Sequence, residues 1–307
     1  MRNAFAAELT AIASEDPRVM MLSGDIGNRL FDKFKAAFPE RFYNCGVAEQ
    51  NMMSVAAALA SCGLRPIAYT ITPFVTMRCL EQIRVDVCYH GLPVVIVGIG
   101  AGLSYASLGA THHSMEDVAC LRSLPGMSVV CPGDPVETRL ALRAALKSPG
   151  PVYLRLGKKG EPVVHKAPPD FTIGRGIVLK SGTRVCLLST GTLLPESMSA
   201  VDELDRSGLT TGLVSFHTVK PLDDALLCDV FSRFELVVTI EEHGLIGGLG
   251  GAIAEWLCDR KPQKARLCRI GGPDAFLSEA GGQEYARKRL GLDAEGIAAR
   301  VLRSLNQ

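Results

Sequence analysis

Short runs of β-branched and apolar residues alternate with longer stretches of helical periodicity along nearly the whole chain. VMMLS (19–23), PIAYT (66–70), PVVIVG (93–98), MSVVC (127–131) and PVYLR (151–155) read as strands, with helical patterns at 48–61, 76–89 and 134–146 between them. Strands that are apolar on both faces and separated by helices predict a parallel sheet covered on both sides. The periodicity then stops in GKKGEPVVHKAPPDFTIGRG (157–176), where Lys, Gly and Pro dominate, as an interdomain linker requires. A second series follows: RVCLLST (184–190), a helix at 195–207, TTGLVS (210–215), a helix at 223–231, LVVTI (236–240), a helix after Gly251, and ARLCRI (265–270). One or two helices in 283–305 close the chain. The expected fold is α/β, with two parallel-sheet-based domains over 1–156 and 177–307 joined by the linker 157–176.

Parallel α/β domains bind ligands beyond the carboxyl ends of their strands. That singles out 23–28, 70–74, 98–113, 132–134 and 156–160. The loop 98–113, GIGAGLSYASLGATHH, is long, nearly uncharged and ends in a His pair; loops of that length are often functional.

Composition narrows the classes further. The 307 residues carry 33 basic and 32 acidic side chains, a net charge of +1, so no field for a polyanion exists and nucleic acid is not an expected partner. Ten cysteines are scattered with no CxxC pair, a pattern of buried thiols in a reducing cytoplasm. The first residues, MRNAFAAELTAIASEDP, are amphipathic and reach Glu8 before any apolar core forms, unlike a signal peptide. No apolar run approaches a membrane span. A soluble cytoplasmic protein with no membrane partner is expected.

Among motifs, GxxxxGK[ST], HExxH and GxSxG are absent. GLIGGLGGAIAEW (244–256) follows a strand and opens a helix, loosely like a phosphate loop, but it lacks GxGxxG spacing; close packing of that helix on the sheet is the expectation. The sharper feature is FYNCGVAEQNMMSVAAALASCG (42–63), where Glu49 heads an apolar helix. Alone, Glu49 is explained by the attraction of a first-turn acid to free N–H groups.

GVAEQNM, followed by GLRPIAYTITPF and THHSMEDVACLRSLPGMSVVCPGDPVE, resembles the pyrimidine-binding domain of the transketolase family. GTRVCLLSTGT, VSFHTVKPLD and VTIEEHGLIGGLGGAIAE resemble that family's C-terminal domain, so the likeness covers essentially the whole chain. The family uses thiamine diphosphate, and the resemblance makes Glu49 the carboxyl that hydrogen-bonds the aminopyrimidine nitrogen and favours the reactive imino form. It makes His112 a catalytic residue and, with His113, a contact for substrate oxygens, although His113 replaces the usual Gln. Asp25 falls near the thiazolium, with an Asx turn or helix cap as its other reading. Phe74 and Val75 fall at the family's aromatic wall against the pyrimidine, with core packing the commoner fate of a Phe. Arg78 would reach substrate or only pair with Glu81 or with neighbours of Glu49. Arg155 and Lys158 match basic substrate-binding positions, one of them for phosphate, while Lys159 is equally a solvated linker charge. Leu108 replaces an Asp that contacts a substrate hydroxyl. His217 and His243 are expected to be structural or interfacial.

The family's Gly-Asp-Gly motif followed by Asn, which binds diphosphate and metal, is absent, and GDIGN (24–28) lies at the first strand and does not replace it. The resemblance therefore implies the C-terminal subunit of a split transketolase, with no metal ligands of its own. Its partner would be an N-terminal subunit carrying the diphosphate loop and Mg2+, in a heterotetramer. The implied reaction is transfer of a two-carbon ketol unit from a ketose to an aldehyde. A beta subunit of a 2-oxo acid dehydrogenase and a non-catalytic scaffold are the alternatives.

Overall fold

The computed structural model describes every residue except Asn28, Lys159, 261–263 and Gln307. The Asn28 end of the first loop and the Lys159 assignment thus lie outside the described residues. Among the described residues twelve strands form two sheets: β1 (Val19–Ser23), β2 (Phe42–Asn44), β3 (Arg65–Ile71), β4 (Val95–Ile99), β5 (Ser128–Val130), β6 (Val152–Leu156), β7 (Ile177–Lys180), β8 (Val185–Thr190), β9 (Thr211–Ser215), β10 (Thr218–Lys220), β11 (Leu236–Gly244) and β12 (Arg266–Gly272). The first sheet runs β10-β5-β6-β4-β3-β1-β2 and the second β12-β11-β8-β9-β7. All pairs are parallel except β10 with β5 and β7 with β9, so the α/β class predicted from the apolar runs is the class observed. The runs were informative because the central strands are buried along their length.

Residues 157–176 contain neither helix nor strand among those described. The chain nevertheless crosses back: β10, from the second series, closes the edge of the first sheet beside β5. One apolar cluster runs across this junction, from Met52 and Tyr153 to Leu188, Phe216 and Phe231. The opposite face of the first sheet packs on the helices Arg2–Glu15 and Pro135–Lys147, and that of the second on Leu194–Arg206 and Ala294–Leu305.

The Gly-rich segment after β11 opens the helix Leu249–Cys258 and is a packing device. A Cβ on Gly250 would meet Thr239 Oγ1 at 2.7 Å. The helix N-terminus is already filled: Leu249 N and Gly250 N donate to Glu241 at 2.7 and 2.8 Å. Burial pushes the Glu241 carboxyl up to about 7, against those two bonds. An internal carboxyl stands where a phosphate loop would hold its ligand.

Another buried cluster pins the segment 157–176 to the first sheet. Asp134 caps the helix Pro135–Lys147 through Glu137 N, and its other oxygen takes Val164 N and His165 N at 2.9 and 3.0 Å. Glu137 accepts from Gly133 N at 2.6 Å and meets His165 Nε2 at 2.7 Å. Burial opposes charge on both partners, but the bond between them prevails, holding His165 above its ordinary value and Glu137 below. His217 stacks on Phe171 of the same segment at 4.0 Å, and burial lowers its pKa.

The stability that His165 contributes is therefore full below the ordinary histidine range and fades as pH rises through its raised value. That of Glu137 is full above the ordinary carboxyl range and is lost as pH falls through its lowered one. Urea midpoints measured across pH should decline on the alkaline side. His165→Gln should abolish that decline and cost about 1–3 kcal/mol at neutral pH; an unaltered pH profile would refute the clamp.

Candidate active site

The carboxyl ends of β1, β2, β3, β4 and β6 lead into the loops that carry most of the candidate chemistry. β2 ends at Asn44, and Gly46, at φ +66°, makes the turn toward the helix Glu49–Ser61; only glycine adopts that backbone without strain. Asn44 Oδ1 accepts from Gly46 N at 2.8 Å, Asn44 Nδ2 donates to Asp25 Oδ1 at 3.0 Å, and Asp25 N donates to Gly46 O at 3.0 Å. Asp25 is thus exposed at the end of β1 and tied to the turn that precedes Glu49.

Glu49 opens its helix without a side-chain cap, and its residue is only 5% exposed. First-turn N–H groups favour an acid there. Arg78 Nη1 donates to Glu49 Oε2 at 2.9 Å, and no other hydrogen bond among the described residues reaches that carboxylate. The Arg78 guanidinium lies 4.3 Å from the centre of the Phe74 ring. Phe74 meets His112 edge-on at 5.3 Å, His112 lies 6.2 Å from Tyr105, and Lys158 Nζ stands 4.4 Å over the Tyr105 ring. Thr111 Oγ1 and His112 Nδ1 are 2.9 Å apart. An unbroken series of contacts therefore runs from a recessed acid through aromatic rings to a cation beyond β6. Arg78 thus pairs with Glu49 itself, which was not among its expected partners.

Phe74 and Arg78 reach this edge because their helix is wound unevenly. The pattern at 76–89 predicts one regular helix, but winding begins with Thr72–Val75 and tightens at Met77–Cys79. After Leu80–Gln82 it widens into a π-helical turn over Ile83–Cys88. Val75, Cys79, Ile83 and Val87 are all buried in one core at intervals of four, and only the last of these intervals lies in the wide turn. Thr76 Oγ1 bonds back to Thr72 O at 2.7 Å where the first turn ends.

Three of the expected site residues are buried in this structure. Val75 is wholly buried in the core beneath Phe74 and has no surface for a cofactor; neighbours in one helical turn face different ways. His113 points away from its neighbour: it is buried, with Nε2 3.3 Å from Ala106 O. It lines a separate cavity of about 560 Å³ with Leu103, Met115 and residues 273–279, which neither Glu49, Phe74 nor His112 touches. Arg155 is engaged inside the protein. It is buried, with Nε and Nη2 on Asp117 at 2.8 and 3.1 Å, and Nη2 also reaching Ser114 O at 2.8 Å and Glu242 O at 2.9 Å. Although burial works against charge on both, the attraction between them holds Asp117 below and Arg155 above their usual ranges.

Sequence reasoning missed Asn44, Tyr105 and Glu242. Asn44 and Tyr105 had weak signals, as the polar end of a strand before GVAE and as the one ring in the loop 98–113 outside its His pair. Glu242 had none. It is buried on β11 and accepts from Leu103 N at 2.6 Å, Gln283 Nε2 at 2.9 Å and Arg287 Nε at 2.7 Å. A Cβ on Gly102, at φ +61°, would lie 2.7 Å from its Cγ. His243 next to it is buried, and burial pushes its pKa down to about 4, so this neutral ring accepts from Ala119 N at 3.4 Å, the interfacial role expected of it.

A sheet whose loops offer a recessed carboxylate beside an aromatic ring, joined to a second α/β unit, is the arrangement of a pyrimidine-binding domain with its C-terminal companion. Proteins of known family share it. Residues 1–161 match the profile "Transketolase, pyrimidine binding domain" and residues 174–297 match "Transketolase, C-terminal domain". The chain belongs to the transketolase family, whose cofactor is thiamine diphosphate. It is 35% identical to a 6-deoxy-6-sulfo-D-fructose transketolase subunit of Clostridium sp. (strain MSTE9), over 97% of this chain and 92% of that one. It is 33% identical to one of the subunits of an apulose-4-phosphate transketolase of Actinobacillus succinogenes, over 89% and 87%. Among solved structures it superposes on a split-gene transketolase described as an inactive beta4 tetramer, with a TM-score of 0.89, 36% identity and coverage of 99% and 97%. A transketolase of Pichia stipitis shares the fold at TM-score 0.78 and 20% identity, over 98% of this chain and 45% of that one.

If Arg155 is a strut and not an anion site, Arg155→Met should lower unfolding stability by about 3–5 kcal/mol, since it strands a buried carboxylate. Combining it with Asp117→Asn should restore part of the loss. Urea unfolding of the three variants checks this; a wild-type midpoint for Arg155→Met would return the residue to the substrate ligands.

Proposed function

We propose that this chain is the pyrimidine-binding and C-terminal subunit of a two-component, thiamine-diphosphate-dependent transketolase. It would act in moving a two-carbon ketol unit from a ketose donor to an aldehyde acceptor. The observation that carries the reading is Glu49, a recessed carboxylate bonded by Arg78 alone among the described residues and close to a half-buried ring, Phe74. That pair fits a flat aminopyrimidine: the carboxyl would bond the ring nitrogen and Phe74 would cover a face. When bound, thiamine diphosphate would supply a carbon nucleophile able to take up and release a two-carbon fragment. Glu49 would hydrogen-bond the ring nitrogen and so favour the tautomer whose exocyclic nitrogen is basic.

His112, steadied by Thr111 and set between Phe74 and Tyr105, donates to the oxygens of the reacting carbons. Lys158, above Tyr105, offers a cation to an acidic terminus of the substrate. Asp25, held by Asn44, stands beside the turn into Glu49 on the side assigned to the thiazolium. Leu108 is 53% exposed in the same loop and offers no acceptor where the family has an Asp, which relaxes selection at the adjacent substrate hydroxyl. The partner supplies the diphosphate loop and Mg2+, in a heterotetramer with two copies of each chain. Nearly full-length matches to relatives named as subunits support two separate chains. Ten free thiols suit a reducing cytoplasm.

Reconstitution with the diphosphate-binding chain tests the reading. The pair should convert a ketose phosphate and an aldehyde, and this chain alone should not. Glu49→Gln should lower kcat by about 10²–10⁴-fold while leaving assembly, followed by size-exclusion chromatography, intact. Wild-type turnover by Glu49→Ala would end the proposal, and turnover with pyruvate in place of the ketose would move the chain to 2-oxo acid chemistry.

A further inference from the structure

Arg78 occupies the position that this reading gives to the cofactor's pyrimidine. Nη1 donates to Glu49 Oε2 at 2.9 Å, and the guanidinium lies 4.3 Å from the centre of the Phe74 ring. These are the two features assigned to the heterocycle, a hydrogen-bonding carboxylate and an aromatic face. A guanidinium is itself flat, carries N–H donors and stacks on rings. It therefore satisfies both partners in the same manner. We propose that Arg78 is a latch on the cofactor site: it fills the pyrimidine position in the unloaded chain and must swing out before the site is occupied. The inference rests on the assignment of Glu49 and Phe74 to the cofactor.

The surroundings of Arg78 suit a movable group. Its side chain is 43% exposed whereas that of Glu49 is 5% exposed, so the guanidinium has solvent on one side and the carboxylate does not. No other described residue hydrogen-bonds or stacks on it. Its backbone belongs to the tight turn Met77–Cys79, between the short helix Thr72–Val75 and the wide winding of Ile83–Cys88. Irregular winding inside a helix often marks a hinge. The latch also has a use while the site waits: without it, a recessed carboxylate would be left unpaired, which is costly.

The strength of such a latch is bounded. Apparent affinity falls by the fraction of chains in which the site is open. A partly exposed ion pair and one cation–π contact are individually weak, so together they reduce affinity by about 5- to 30-fold. That is enough to delay loading without preventing it.

Isothermal titration of thiamine diphosphate with Mg2+ into the full chain assembled with the diphosphate-binding chain tests this. Arg78→Met keeps the length of the side chain and removes its charge and donors. It should tighten the cofactor Kd by about 5- to 30-fold and speed association in stopped flow, with Arg78→Lys between it and wild type. Unchanged or weaker binding by a folded Arg78→Met protein overturns the latch. If Arg78→Met does not fold, Arg78→Lys decides by the same criterion. Glu49→Gln and Phe74→Ala separate the two levels of the argument. If both bind cofactor as wild type does, the site assignment and the latch fall together. If both weaken binding while Arg78→Met fails to tighten it, the latch alone falls.

Discussion

Arg155 and Asp117 form a buried ion pair at the joint between the two sheets, and the candidate site depends on it. Arg155 is the penultimate residue of β6, Asp117 begins the helix Asp117–Arg122, and the same guanidinium holds the carbonyls of Ser114 and Glu242. Tyr153 donates to the same carboxylate at 2.6 Å. Taking two charges out of water is costly, and the cost is offset only when geometry and additional hydrogen bonds are good. Here the remaining donors are directed onto chain segments that would otherwise be free to shift. Their combined effect is to fix the loop after β4 at both ends, at Leu103 by the Glu242 carboxylate and at Ser114 by Arg155. Tyr105 and His112 lie between those anchors. Their position is therefore set by contacts with the second sheet as much as by their own strand.

This arrangement explains which parts of the molecule were legible in the sequence. Strands such as VIVGI and VCLLST are buried on both faces, so their apolar runs announced them. β2 and β10 have three residues each, too few to carry a period, and β10 reports a sheet edge that only the folded chain assembles. A helix was legible over 76–89, but its earlier start at Thr72 and its uneven winding were not. Glu49 was legible because a charged residue at the head of an apolar run stands out. The Arg155 ion pair was not legible because, from sequence, a cation near a strand end looks the same whether it faces solvent or a buried carboxylate 38 positions away.

The site is also polarised along its length. Its recessed end is acidic and spanned by Glu49 and Arg78, its middle is Phe74, His112 and Tyr105, and its outer end is the cation of Lys158. The rings thus lie between the Arg78 guanidinium, itself paired with Glu49, and the Lys158 ammonium, and such rings hold flat molecules by their faces and edges. The 560 Å³ cavity beside His113 includes none of these groups. The difference between the two adjacent histidines shows how a one-residue step in a tight loop separates surfaces with different chemistry.

The return of β10 to the first sheet has a consequence for how such a chain can be divided during evolution. A break within 157–176 would look harmless from local composition. It would nevertheless strip the first sheet of its last strand and bare the open edge of β5, a ready template for mispairing. It would also cut the shared apolar cluster in two. The two α/β units are thus tied by a shared sheet edge and a shared apolar cluster as well as by the chain between them.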